Sequence, residues 1–180
     1  MTTIIRSGLA AIAASAGLCF FSAPAMAQTS SQGTIGLSLT VRNACVVNGA
    51  TSVTSTLGSV GTIAFADQPG TFDTVDGELQ GALGALQIQC SPLAQPLLTV
   101  GAGANDQSSQ RHLVSNGNLI AYSLYTDAQR LSEIAIGEQI DLGVSNGDPI
   151  SVPIYARARS DGQFRAAGLY TDTVQVTLSW

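Results

Sequence analysis

Gly143-Val-Ser145-Asn-Gly147 has the spacing of a nucleophile elbow, the strained turn that exposes a reactive serine in α/β-hydrolases. That chemistry needs a strand before the serine, a helix after it, and an acid and a histidine later in the chain. Asp148-Pro149 follows at once and argues against a helix, and the single histidine, His112, comes before the serine. The segment reads as a polar hairpin turn. His112 has no His or Cys at metal-ligand spacing and, beside Arg111 and Leu113 at the start of a strand, reads as a solvated surface residue. Asp73, Asp76 and Glu78 lack the alternating oxygen ligands of a calcium loop and read as a solvated turn. Gly101-Ala-Gly-Ala opens no helix, so it predicts no phosphate cradle. These residues predict no enzyme, no metal and no cofactor.

The elements around them are strands. Val174, Val176, Leu178 and Trp180 alternate with Thr173, Gln175, Thr177 and Ser179, the period-two pattern of a half-buried strand with nothing after it to cover its edge. Ile35, Leu37, Leu39 and Val41 make a second such face near the other end. Between them Ile63 and Phe65 alternate, as do Leu86, Ile88 and Cys90, then Ile120, Tyr122 and Leu124, then Ile150, Val152, Ile154 and Ala156; Pro96–Val100 is a short apolar run. Turn clusters punctuate these runs, among them Asn48-Gly, Asp67-Gln-Pro-Gly70, Asp76-Gly, Asn116-Gly-Asn118 and Asp161-Gly. The pattern predicts an antiparallel sandwich. Pro153 cannot donate to a ladder, which predicts an edge position for its strand. The stretch Asp127–Gly147 fits a helical turn, a loop or a short strand equally well.

Residues 1–27 read as a signal peptide: Arg6 supplies the positive end, Ser7–Phe21 are mostly small and apolar, and Ala25-Met-Ala27 is a cleavage site. Cys19 is expected to leave with it. The expected mature chain, from Gln28, has the length of one domain with a real core. It carries six arginines, no lysine and twelve acidic residues, a formal net charge of −6, so nucleic acid is not an expected partner. Cys45 and Cys90 remain, and an even pair in an exported chain reads as one disulfide. The alternative is a pair of buried free thiols.

Taken in order, several segments resemble a known family. They are Val41-Arg-Asn-Ala-Cys45-Val-Val-Asn-Gly49, Gly61-Thr-Ile-Ala-Phe65, Leu86-Gln-Ile-Gln-Cys90, Arg111-His-Leu113, Ile120–Asp127, Val152-Pro-Ile-Tyr-Ala156 and Ala167–Trp180. Together they resemble the spore coat protein U domain of Csu-type (archaic) chaperone–usher pilins. The resemblance implies an all-β, incomplete immunoglobulin-like sandwich that lacks its last strand and is completed by donor-strand exchange. It implies residues 28–41 as a donor strand, with Ile35, Leu37, Leu39 and Val41 as donor side chains, and residues 42–180 as the pilin domain. Val174, Val176, Leu178 and Trp180 would then line the groove and form the edge that a chaperone grips.

The implied partners are a periplasmic chaperone, an outer-membrane usher and neighbouring pilin subunits, in a homopolymer or a mixed fibre. The implied location is a cell-surface pilus reached through the periplasm, serving attachment and biofilm formation. Read from the residues alone, Ile35–Val41 is equally the first strand of its own domain. On that view the protein is a soluble exported β-sandwich that binds carbohydrate or protein.

Overall fold

The computed structural model describes residues 29–50, 56–82 and 84–180. The expected signal peptide lies outside the described residues. Two units divide at Leu39 and Thr40. In the first, residues 29–39 adopt no helix or strand, and Ile35, Leu37 and Leu39 are at least 87% exposed. Val41, in the second unit, is 81% exposed. The strand expected over Ile35–Val41 is not formed, because a strand without a ladder partner has nothing to satisfy its backbone in an ordered way.

The unit Thr40–Trp180 is all-β among its described residues, as expected. Its strands are β1 (Cys45–Val47), β2 (Thr62–Ile63), β3 (Thr74–Gln80), β4 (Leu86–Cys90), β5 (Leu97–Val100), β6 (Arg111–Ser115), β7 (Asn118–Tyr125), β8 (Glu138–Asp141), β9 (Ile150–Val152), β10 (Tyr155–Arg159) and β11 (Val176–Ser179). All pairings are antiparallel. They build sheets of order β1-β4-β9, β2-β3-β10-β7-β6 and β11-β5-β8, and side chains from all three meet in one core. Leu86, Ile88, Leu98, Val100, Ile134, Ala156 and Ala158 are essentially inaccessible there.

Three local expectations change. The run Ile150–Ala156 is not one edge strand. It breaks at Pro153, and the chain passes from β9, at the edge of one sheet, to β10, inside another. A residue with no N–H ends the first ladder at that point. Asp76-Gly77 is not a turn but the middle of β3. Gly77 fits because β2 passes close by, and a Cβ there would lie 2.9 Å from Cγ2 of Ile63. The ambiguous stretch contains no helix; it supplies β8 and the buried Ile134.

Candidate functional site

Among the described residues, strand β11 pairs with β5 on one side only, and β2 pairs with β3 on one side only. A cavity of about 1050 Å³ lies between them, lined by Thr62 and Ile63 of β2 and by residues 172–178 and Trp180. Its floor is apolar: Leu79, Val100, Leu113, Leu124, Ile154 and Ala156 all reach it. Here a cavity floored by core side chains opens between two strand edges, with residues 56–61 also lining it.

Along the C-terminal wall the side chains alternate as the sequence predicts. Val174 and Val176 are half-buried against the core, Leu178 is buried, and the polar residues between them are exposed. The regular ladder is shorter than the expected Val174–Trp180, but the pairing continues irregularly: the Gly101 N–H donates to Gln175 O at 2.8 Å and the Ala104 N–H to Thr173 O at 3.0 Å. Trp180 stands at the end of the wall, 44% exposed, and its indole Nε1–H donates to Asn43 O at 3.2 Å.

The other end of the wall is polar. Tyr122 Oη–H donates to Asp172 Oδ2 at 2.6 Å, and Asp172 Oδ1 accepts the backbone N–H groups of Ala104 and Asn105 at 3.0 and 3.1 Å and the Asn105 side chain at 2.9 Å. Burial first, and the adjacent carboxylate second, push the Tyr122 hydroxyl pKa upward, so it stays a neutral donor. The glycine-rich loop 101–106 therefore does hold an anion, its own Asp172. Gly103 has φ +96, and a Cβ there would run into the carboxylate. No spacing in the sequence joins residues so far apart.

Arg111 was equally illegible. It is buried (3% exposed), and its guanidinium donates to the carbonyls of Gly101, Val100, Ile134 and Ala135. That fork stitches β6 to the end of β5 and to the segment before β8. Burial pushes its pKa down from the usual guanidinium range.

The other sequence candidates resolve individually. Ser145 is buried, donates to Cys90 O at 3.0 Å and accepts the Gly147 N–H at 3.1 Å; it is a loop brace with both roles filled. His112 is half-buried on β6 rather than solvated, with Nδ1 enclosed and unpaired. Asp76 takes a two-pronged hydrogen bond from Arg157 at 2.7 and 2.9 Å and lies 3.2 Å from Arg130. The bond from Arg157, with the positive charge of Arg130, holds its carboxyl below the usual range. Cys45 and Cys90 are joined as a disulfide.

The family model of the Spore Coat Protein U domain matches residues 31–177. Protein U of Myxococcus xanthus is 31% identical over 194 residues, covering 98% of this chain and 98% of that protein. A solved complex of the chaperone CsuC with the tip adhesion subunit CsuE, from archaic chaperone–usher Csu pili of Acinetobacter baumannii, matches 78% of this chain at 21% identity and a TM-score of 0.46. This chain spans only 40% of that one. A chaperone–usher pilus structure matches 88% of this chain and 99% of its own, at 15% identity and a TM-score of 0.40.

Proposed function

This chain belongs to the Spore Coat Protein U domain family, and on that premise we propose that it is a structural pilus subunit assembled by donor-strand exchange. The observation that carries the reading is the apolar-floored cavity between the edges of β2 and β11, which have no further ladder partner among the described residues. A bare edge beside an apolar cavity is a hazard for a permanent monomer and a binding site for an added strand. The chain also carries a segment of the matching pattern: Ile35, Leu37, Leu39 and Val41 are apolar, alternate and exposed.

Seating that segment in a neighbour's groove would bury each of these side chains for about 1.5–3 kcal/mol, before ordering costs. Ladder bonds along β11 add about 0.5–1.5 kcal/mol each. Donor and acceptor are different surfaces, so the contact is heterologous and propagates an open fibre. Before assembly a periplasmic chaperone fills the groove, and an outer-membrane usher exchanges it for the next subunit. The fibre is then displayed on the cell surface, where attachment and biofilm formation are its outcomes. No catalytic role is assigned.

Removal of residues 28–41 tests this. The shortened chain is expected to require a chaperone or an added peptide of residues 29–43 to stay soluble, and to stop forming fibres while still accepting the peptide. A full-length chain, freed of its leader, that remains a stable monomer at high concentration without a chaperone would sink the proposal. That outcome favours a self-sufficient exported binding domain.

A further inference from the structure

If the segment before Asn43 is held in a neighbour's groove, any tension on the fibre reaches this subunit at Asn43–Cys45. Three consecutive residues there are each tied down. The Asn43 carbonyl accepts the Trp180 indole N–H at 3.2 Å. Ala44 is bonded in both directions to Ser91, whose N–H donates to Ala44 O at 2.8 Å and whose Oγ accepts the Ala44 N–H at 3.0 Å. Cys45 is covalently bound to Cys90.

The position of the disulfide matters more than its presence. Cys45 and Cys90 are the first partners of the β1–β4 ladder as tension would meet it; Val46↔Gln89 and Val47↔Ile88 lie behind. A hairpin-like ladder pulled from its open end fails one pair at a time, and its hydrogen bonds are individually weak. A covalent bond at the mouth removes that route. We propose that the Cys45–Cys90 bond, flanked by the Ser91 and Trp180 contacts, is the mechanical anchor of the assembled subunit. Load enters from the neighbour's strand at β11, and leaves through the arm root beside Trp180. Along the covalent chain, tension at the arm root passes from Cys45 directly to Cys90, so the segment between them, β2 included, cannot be drawn out through the arm. This role rests on the assembly reading above and adds to it a task for the disulfide that folding stability alone does not require.

The prediction is a hidden length. The bonded cysteines are 45 residues apart, so the bridged chain can release about 150 Å per subunit only when the bond is open. Fibres of the full-length processed chain are stretched in an optical trap, then stretched again after dithiothreitol; reduction after assembly avoids a cysteine-free variant that fails to fold. The expected result is a lower force for the first opening, with an additional extension of about 150 Å per opened subunit. Ser91→Ala fibres, with the disulfide intact, are expected to show no such added length. If reduction is verified by thiol labelling yet force and step length stay the same, the anchor is refuted while the assembly reading stands. If no fibre forms at all, both fall.

Discussion

Asp172 shows how much one side chain can organise when its partners are scattered. It holds the loop after β5, the Tyr122 hydroxyl on β7 and the approach to β11 in one cluster at the polar end of the groove. Asp172→Asn keeps the size but replaces one acceptor oxygen with a donor that faces N–H or O–H groups. A loss of about 1–3 kcal/mol in urea unfolding is expected, against about 1 kcal/mol for Tyr122→Phe, which removes one bond. Equal, negligible losses would mean that the loop is held by its backbone alone. None of this was legible in the sequence, because the carboxylate and the amides it accepts lie 67 and 68 residues apart. The role of Arg111 was invisible for the same reason: the carbonyls it serves come from segments 10 to 24 residues away along the chain.

At the level of elements, period-two alternation was the dependable signal. It located most of the core strands and the inward residues of β11, since pleating sends alternate side chains to opposite faces whatever the partner. It failed at Pro153, which divides one run between two sheets, while the Asp76-Gly turn signal failed in β3, where the missing side chain of Gly77 admits β2. The segment Ile35–Val41 has the alternation and no ladder. Its side chains are already exposed, so Leu37→Ala should leave the stability of the unassembled chain unchanged. In a 29–43 peptide offered to the full-length chain, the same change should weaken binding by about 2 kcal/mol, roughly thirtyfold. Calorimetric titration with both peptides decides it. Indifference to the substitution would exclude this face as the one that enters the groove.

For the molecule as a whole, the central feature is an apolar-floored cavity between two strand edges, and the chain carries a reporter for its occupancy. Trp180 is the only tryptophan, lines the groove and is 44% exposed. Its emission should shift to the blue as the 29–43 peptide binds, because a strand laid beside β11 takes water from the ring. Binding with an unmoved spectrum would place the peptide elsewhere. Trp180→Ala should lose the chaperone complex on co-purification, and a normal yield would count against a gripping role for this residue.

What the sequence determined by itself was the kind of architecture, from period-two alternation in most of the strands, and Cys45 and Cys90 as the pair that could bond. Those are local properties, written in neighbours along the chain. Only the tertiary structure decided that β2 and β11 are both edges with an apolar-floored cavity between them. It alone brought Trp180 to the root of the arm and the disulfide to the mouth of the β1–β4 ladder. An edge is defined by the strand that is not beside it, and such an absence becomes visible only when every other strand has found its partner.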